Sequence, residues 1–416
     1  YIMLKIDKEN ISNLSDYSKR AKNFLKKVVI VDPCYQDYVV GFNPLEVPQG
    51  ENPYPYVLEL IAVFRKLWED TWGQRMEDIL RNTLLVLCEK GLTMLEIPRF
   101  LTDRDFRSYL LQGLTNEEVK EYWKRRFDFL NPRTKAEWIE STLNKVSTFI
   151  SDPYIRDIIG QRRSTLNLRE IMDNGKILLV NLAKGRLKEN SNLLGALFVS
   201  KIQQAAMSRV DVSKERRQRF YLYIDEFQNF ATKSFEEILS EARKYGLSII
   251  MANQNLAQLD FGLKASVIQN ARVQVYFGMS RKDAEDLAKE VFSVTGKNIK
   301  YQLFKEKGIF LNSEPKSNPV YEGIQEEWEN HMTRLVSLKP RYCYVHIRGK
   351  ETVFMRTLDT PDPAQNLGWS KQDFQKVVQD FKRSTISNYA KMRYRVRKEI
   401  SRRRENLEAE YKLSRR

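Results

Sequence analysis

The pattern of hydrophobic positions divides the chain into stretches of different secondary structure. Near the start, Lys26–Pro33 ("KKVVIVDP") is a short apolar run that predicts a strand. From about Pro53 to Arg169, apolar residues recur every three or four positions, which predicts helices, and no strand pattern stands out. After Gly175 the short apolar runs return. The stretch "GKILLVNL" (175–182) is typical of a strand buried on both faces.

The second half of the chain alternates between strand and helix patterns. Strand patterns occur in "FYLYID" (220–225), "LSIIMAN" (247–253) and "VQVYFGM" (273–279), with helical patterns between them. Such alternation predicts βαβ units and a mainly parallel sheet. Two later strand patterns predict an edge hairpin that turns through Gly349 and Lys350. The end of the chain is predicted to be one polar, basic helix.

These patterns predict an α/β protein in four segments. Residues 1–52 would form the first part of an α/β core, 53–169 an inserted all-helical domain, 170–360 the rest of the core, and 361–416 a basic helical tail. One helix start is predicted at Thr115, where a glutamate follows three residues later at the spacing of a capping box.

Composition narrows the class of protein. The 416 residues are 42% hydrophobic and 11% aromatic, as in globular proteins of more than one domain. Three widely spaced cysteines and two histidines predict free thiols and argue against a His/Cys metal cluster. The sequence has no run of 18 apolar residues and no secretion signal. The chain opens at Tyr1 without a methionine, so we expect an upstream segment to be missing.

The net charge of +16 predicts a polyanionic partner. The charge is concentrated at the end of the chain, where Ser370–Arg416 contains 15 Lys and Arg against 6 Asp and Glu. A solvated helix or a disordered end is the alternative interpretation of that tail.

Two adjacent carboxylates, Asp225 and Glu226, follow an apolar strand pattern. In an open parallel sheet, ligands bind at the carboxyl ends of the strands. The aspartate could hold a hydrated Mg²⁺, and the glutamate could polarise a water for attack on a phosphoryl group. This pairing is the Walker B arrangement of P-loop ATPases. The alternative is that Asp225 caps the next helix and Glu226 is only exposed.

The next strand pattern also ends in polar side chains, Asn253 and Gln254. Their amides could contact a γ-phosphate or orient the attacking water, and RecA-like ATPases carry such a sensor on the strand next to Walker B. Helix capping is the alternative role. Two strand ends with suitable groups favour the ATPase interpretation.

The stretches "LYIDEFQNF" and "ANQNLAQL" resemble the HerA/FtsK group of RecA-like motors, and more specifically the type IV secretion coupling proteins of the TraG/TraD kind. The stretches "VGFNPLE", "WGQRMEDILRNTLL" and "NLLGALFVSKIQQAAMSR" are similar to that family as well. The resemblance covers roughly Lys26–Thr360. It implies a RecA-like P-loop NTPase core with a mainly parallel sheet and an inserted all-α domain. It also implies that ATP and Mg²⁺ are cofactors, with Asp225 serving Mg²⁺, Glu226 as the catalytic carboxylate and Gln254 as the sensor.

The chain departs from this family in its phosphate loop. The pattern G-x-x-x-x-G-K-[ST] does not occur: "TGKN" (Thr295–Asn298) lacks the earlier glycine and the hydroxyl, and "NGKI" (Asn174–Ile177) leads into a strand. The strand of Lys26–Pro33 matches the strand that follows the loop in the family. We therefore expect the loop just upstream of Tyr1, and we expect this chain alone to be a truncated fragment that binds nucleotide poorly and is inactive.

A ring motor also needs a cation from a neighbouring subunit to stabilise the transition state. Arg272 and Arg281 are the first candidates because they flank a core strand, and Arg186 is the next. A surface cation is the alternative role for each.

Contacts with DNA are expected to be electrostatic and independent of sequence, because a translocase must ignore the bases. Basic patches with nearby aromatic residues supply the candidate arginines: Arg125, Arg126, Arg162, Arg163, Arg393, Arg395, Arg402 and Arg403. A partner protein or an acidic lipid is the alternative ligand of the tail.

The resemblance implies an ATP-driven motor that moves DNA, predicted to be single-stranded, through a hexameric ring in conjugation. Relaxosome and secretion-channel proteins are further candidate partners. The expected location is the cytoplasmic side of the bacterial inner membrane, with any anchor upstream of Tyr1, or else the cytoplasm. A HerA-like DNA-processing ATPase unconnected to secretion and a catalytically silent DNA- or partner-binding scaffold are the alternatives.

Overall fold

The computed structural model describes residues 23–232, 235–293, 299–304, 316–360 and 370–413. The chain divides into two compact units: unit 1 contains Tyr1–Met251 and Asp362–Arg416, and unit 2 contains Ala252–Pro361. Each unit is described by itself. Within the described ranges, no helix is both long and apolar enough to cross a membrane.

The strands of unit 1 form three pairs. Strand β1 (Val28–Val31) is parallel to β3 (Ile177–Val180), and β4 (Phe220–Ile224) is parallel to β5 (Leu247–Met251). The short strand β2 (Tyr38–Val40) pairs antiparallel with a strand of the C-terminal tail. The strands predicted near 26–33, 175–182, 220–225 and 247–253 are therefore confirmed, and so is the parallel pairing between them.

Strands β3 and β4 each carry an exposed large side chain. Leu179 on β3 is 51% exposed, and Tyr223 on β4 is 73% exposed. The prediction that 175–182 is buried on both faces is therefore wrong. A strand is buried on both faces only where other elements cover both faces of its sheet, and the described residues leave Leu179 uncovered.

Helices make up the rest of the first part of unit 1. Their bounds are α1 Pro53–Leu67, α2 Gln74–Glu89, α3 Ile97–Thr102, α4 Arg104–Leu111, α5 Glu117–Glu121, α6 Pro132–Ser151, α7 Pro153–Ile159, α8 Leu168–Asp173, α9 Lys184–Leu187, α10 Asn190–Met207 and α11 Phe235–Glu241. No strand lies between Pro53 and Asp173 in the structure, as the helical periodicity predicts. The boundaries of the four predicted segments remain a prediction.

Short polar side chains begin many of these helices. Asn52, Asp103, Asn131 and Asp152 each accept a hydrogen bond from a backbone N–H of the first turn, which pairs a donor that the helix itself leaves free. The predicted start at Thr115 is wrong by one residue. Asn116 is the cap of α5, because its side chain accepts from the N–H of Val119 at 3.0 Å.

The core of the helical part is aromatic and aliphatic. Trp123 lies in a π-helical turn (Tyr122–Phe127) and is fully buried against Phe100, with ring centroids 4.9 Å apart in an edge-to-face arrangement. The buried ion pair between Arg107 and Asp128 lies in the same region. Arg107 also donates to the carbonyl of Phe100 at 2.8 Å, so its charge is compensated.

The C-terminal tail belongs to unit 1 and consists of two helices, α15 (Lys371–Tyr389) and α16 (Arg393–Leu413), with strand β11 (Ala390–Met392) between them. The prediction of one continuous helix is therefore wrong, because β11 pairs with β2. Helix α15 packs on β1, where the hydroxyl of Thr385 accepts a hydrogen bond from the N–H of Ile30 at 3.0 Å.

Unit 2 contains an antiparallel sheet of β6 (Val273–Tyr276), β9 (Tyr342–Ile347) and β10 (Val353–Arg356) in the order β10-β9-β6. The predicted edge hairpin is confirmed as β9–β10, and the turn contains Gly349 at φ 80°. A second antiparallel pair of strands, β7 (Ile299–Phe304) with β8 (Lys316–Tyr321), was not predicted. The helices of this unit are α12 Phe261–Asn270, α13 Arg281–Val291 and α14 Ile324–Val336.

Candidate functional site at the strand ends

The two predicted carboxylates lie where β4 ends. Ile224, the last residue of the strand, is buried, and so is Phe227, and a turn lies between them. Glu226 makes this turn in the left-handed region, at φ 52° and ψ 44°. For a residue with a Cβ this conformation costs about 1–2 kcal/mol. Strained backbone of this kind is concentrated at functional sites.

Hydrogen bonds fix both carboxylates at this turn. Asp225 accepts from the N–H of Glu226 at 3.0 Å, and its side chain is exposed. Glu226 accepts from the amide of Gln228 at 2.7 Å. The sequence analysis did not single out Gln228, although a glutamine two residues after the acidic pair is the kind of signal that could have identified it. Each of the two side chains is therefore held by a hydrogen bond, and that of Asp225 is open to solvent.

Aromatic packing anchors the turn that carries Asp225 and Glu226. Phe227 packs on Phe235 of α11, with ring centroids 4.8 Å apart. Phe230 lies against α10 at Gly195, where an added Cβ would be only 2.3 Å from the Phe230 ring. A side chain at Gly195 would therefore displace the segment that carries the carboxylates.

The donor set at this turn fits a metal only in part. No group of three His, Cys, Asp or Glu side chains that could hold a metal ion occurs in the part of the chain that the structure describes. Mg²⁺ commonly uses one or two protein carboxylates and completes its shell with water and substrate phosphates. Asp225 suits such a shared site and would not suffice without a phosphate ligand.

The predicted sensor follows the strand that pairs with β4. The register of the pair aligns Ile224 with Met251, the last residues of the two strands. Gln254 comes three residues later and is exposed. It belongs to unit 2, next to Asn255, whose side chain caps a short turn by accepting from the N–H of Ala257 at 2.8 Å.

The two arginine candidates in unit 2 differ in their contacts. Arg272 is exposed immediately before β6. Arg281 begins α13 and donates to both carboxylate oxygens of Glu329 at 2.9 and 2.8 Å. Glu329 therefore competes with any other anion for Arg281. The third candidate, Arg186, belongs to unit 1 and is exposed on α9, near the buried thiol of Cys34.

The basic patches of the helical part are exposed and lie beside acidic or carbonyl groups. Arg125 pairs with Glu121 at 2.9 Å, and Arg126 pairs with Asp78 at 3.3 Å. Each of these pairs involves an arginine side chain that is at least 60% exposed, so the pairing is weak and reversible.

The second pair of candidate arginines, Arg162 and Arg163, comes shortly after α7 in the sequence. Arg162 donates to the carbonyl of Gly91 at 2.7 Å, and Arg163 pairs with Glu46 at 3.3 Å while remaining 85% exposed. Both remain on the surface.

The tail arginines fall into two groups. Arg393 and Arg403 point inward and are ion-paired with Asp157 and Glu96, respectively, whereas Arg395 and Arg402 are exposed. Because the guanidinium of Arg393 is almost fully buried, it is not available to DNA on the surface. The "TGKN" stretch discussed above lies outside the described residues.

With this geometry in place, known proteins provide a comparison. Residues 219–312 match the family described as the TraM recognition site of TraD and TraG. This match confirms the predicted resemblance to coupling proteins of the TraG/TraD kind over that segment. The matched segment begins just before β4 and includes Asp225, Glu226 and Gln254. No curated protein sequence matches the chain.

Solved structures give a second comparison. The bacterial conjugative coupling protein TrwBdeltaN70, in its trigonal form in complex with sulphate, has a TM-score of 0.50 and 16% identity over 81% of this chain and 76% of that chain. Its unbound monoclinic form has a TM-score of 0.49 at 16% identity, over 80% and 73%. VirB4 of Thermoanaerobacter pseudethanolicus has a TM-score of 0.47 at 15% identity, over 84% and 86%. The similarity to the trigonal form of TrwBdeltaN70 confirms the predicted RecA-like α/β fold.

Proposed function

We propose that this chain is the motor part of a conjugative coupling protein that hydrolyses ATP to move DNA. The observation that carries this proposal is the Asp225–Glu226 turn at the end of β4, held by Gln228 and placed inside the segment that matches the coupling-protein family. The same fold and family match support ATP as the nucleotide.

In this proposal the two carboxylates have separate roles. Asp225 would be a ligand of Mg²⁺, which would neutralise charge on the phosphates of the nucleotide. Glu226 would orient and deprotonate the attacking water. The hydrogen bond from Gln228 would keep the Glu226 side chain in place at a strained turn. Gln254 would be the sensor, and Arg186, Arg272 or Arg281 would act from a neighbouring subunit of a hexamer.

We place DNA on the exposed arginines: Arg125, Arg126, Arg162, Arg163, Arg395 and Arg402. Their contacts would go to phosphates and would carry no sequence preference. Arg393 and Arg403 are left out of this set because their side chains are buried in ion pairs. The description of the matched family adds a relaxosome protein of the TraM kind as a partner of residues 219–312. The cytoplasmic side of the inner membrane would be the site of action.

A catalytically silent scaffold is the second candidate, and the absence of a Gly-Lys-Thr/Ser phosphate loop from this sequence favours it. In the motor proposal, ATP hydrolysis belongs to a form of the protein that contains such a loop.

The change Glu226→Gln tests the motor proposal in the protein of natural length. We expect kcat for DNA-stimulated ATP hydrolysis to fall by about 10²- to 10⁴-fold, with the KM for ATP and the affinity for DNA nearly unchanged, because the variant loses only the general base. Glu215→Gln, at another exposed glutamate of unit 1, is the matched control and should keep full activity. If the wild-type protein binds DNA without hydrolysing ATP in the presence of Mg²⁺, the scaffold replaces the motor.

A further inference from the structure

The loops after β1 and β3 line a polar cavity of about 600 Å³ in unit 1 that is open to solvent. The first loop contributes Asp32–Asp37 and the second Asn181–Arg186, and Lys382 of α15 closes one side. The two strands are parallel, so their carboxyl ends open into this cavity. Carboxyl ends of parallel strands are where ligands bind in α/β sheets.

Cations from separate elements line this cavity. Lys184 and Arg186 are exposed on α9, and Lys382 extends from α15 with its ammonium 5.1 Å from the centre of the Tyr35 ring. No ion pair holds any of these three side chains among the described residues. The two carboxylates of the lining, Asp32 and Asp37, leave a net positive charge.

The remaining polar groups of the lining do not cancel that charge. Asp32 accepts a hydrogen bond from the N–H of Cys34 at 3.0 Å, so one of its oxygens is already occupied. The thiol of Cys34 lies next to Arg186, and burial raises the pKa of this thiol, so it stays neutral at physiological pH. The neutral thiol is therefore no anionic partner for Arg186, and no carboxylate among the described residues forms an ion pair with its guanidinium.

The cavity wall is preorganised by a buried arginine of the tail. Arg393 donates to the carbonyl of Tyr35 at 2.7 Å and to that of Pro33, and its own N–H donates to the carbonyl of Asp37 at 2.8 Å. In the second loop, Asn181 accepts from the N–H of Ala183 at 3.0 Å. The first loop is thus held by the tail before any ligand arrives, which lowers the entropic cost of binding there.

From this arrangement we propose that the cavity between the β1 and β3 loops binds the phosphate group of a small anion, with Arg186 and Lys382 as its main contacts. Arg186 offers a planar donor fork and Lys382 a point charge, the two cation types that recognise phosphate. The volume is within the range of small-molecule sites and admits either inorganic phosphates or a nucleotide. The lining of this site does not include Asp225 or Glu226. Arg186 is also a candidate cation of the proposed motor function, whereas Lys382 has no role in that function and therefore tests this site independently.

Binding of inorganic pyrophosphate and of ADP to the full chain, measured by isothermal titration calorimetry without divalent cations, tests the proposal. We expect one saturable site, with affinity reduced about tenfold by Arg186→Gln and by Lys382→Gln, since each removes a charge-assisted hydrogen bond. The matched controls Lys188→Gln and Arg383→Gln change neighbouring exposed cations outside the cavity and should alter affinity less than twofold. Glu226→Gln should also have no effect, which separates this site from the proposed ATPase site.

Comparison of the two probes identifies the source of the phosphate. Similar affinities would support a site for the phosphate group alone, and tighter binding of ADP would support a nucleotide site. The proposal would be overturned if pyrophosphate showed no saturable binding, or if the control variants lost as much affinity as the cavity variants. It would also be overturned if the cavity variants lost affinity only for a short oligothymidylate and not for pyrophosphate or ADP. Unchanged circular dichroism spectra check that each variant is folded.

Discussion

The two faces of helix α16 carry the same type of residue in different environments. On the inner face, Arg393 and Arg403 are nearly buried and are paired with Asp157 and Glu96. On the outer face, Arg395 and Arg402 are exposed to solvent. The arginines of this helix therefore have two different roles. The inner ones hold the tail to the rest of unit 1, and the outer ones are available to a polyanion.

The inner contacts reach far along the chain. Arg393 and Arg397 both pair with Asp157, at 2.8 and 3.0 Å. Arg403 donates to the carbonyl of Gly160 at 2.7 Å and pairs with Glu96 at 2.9 Å. These contacts join α16 to α7 and to the turn before α3. Because such buried charges are well compensated, removing one partner should cost more than the pair contributes as a whole.

The change Asp157→Asn should have the largest effect on this comparison. The side chain of Asp157 is only 2% exposed, and the variant would leave the buried guanidinium of Arg393 without a counter-charge. We expect the free energy of unfolding to fall by about 3–5 kcal/mol, as for other broken buried pairs. Urea unfolding followed by circular dichroism measures this loss.

Asp380→Asn is the matched control for that change. Asp380 also pairs with an arginine, Arg383 at 3.5 Å, but both side chains are exposed. An exposed pair contributes about 0–1 kcal/mol, so the control should be nearly as stable as the wild type. Equal losses in the two variants would show that burial does not distinguish the inner pair of α16 from an exposed ion pair of the same tail.

The sequence could predict some of this arrangement and not the rest. The apolar runs placed β3, β4 and β5, and the acidic pair after β4 lies at a strand end as predicted. The left-handed conformation of Glu226 was not predictable, because it follows from the burial of Phe227 on α11. The inner arginines of α16 could not be told from the outer ones, since their partners lie more than 200 residues earlier. Charge counts do not contain that information.

A half-buried lysine of α10, Lys201, sharpens the comparison, because no carboxylate forms an ion pair with it among the described residues. Lys201 donates to the backbone carbonyl of Glu46 at 2.7 Å and lies 5.1 Å from the centre of the Tyr56 ring. Burial lowers the pKa of Lys201 to about 8. The unfolded chain, with a pKa near 10.4, therefore binds more protons than the folded one between about pH 8 and 10.

The sign of the pH effect follows from this difference. The Lys201 side chain disfavours folding most below pH 8 and progressively less as the pH rises towards 10. We expect the stability of the wild type relative to Lys201→Met to increase over that range, measured by urea unfolding at several pH values. Lys145→Met, at a half-buried position inside α6, is the control that should show a smaller pH dependence, because its pKa is lowered less. If the difference in free energy of unfolding between the wild type and Lys201→Met stayed constant between about pH 8 and 10, the lowered pKa of Lys201 would be wrong.

The outer face gives the smallest effect on stability and a distinct effect on binding. Arg395→Gln and Arg402→Gln should change the free energy of unfolding by no more than about 0.5 kcal/mol, because exposed substitutions of this kind rarely do more. If these arginines contact DNA phosphates, each change should weaken binding about equally for different sequences and reduce the slope of log K against log salt by about 1. Fluorescence anisotropy with labelled single-stranded DNA at several salt concentrations measures both.

Arg133→Gln, at an exposed arginine of α6 outside the candidate set, is the control for general charge loss. If the slope of log K against log salt were unchanged in both outer-face variants, α16 would not contact DNA. The arginines of the helical part would then be the remaining candidates.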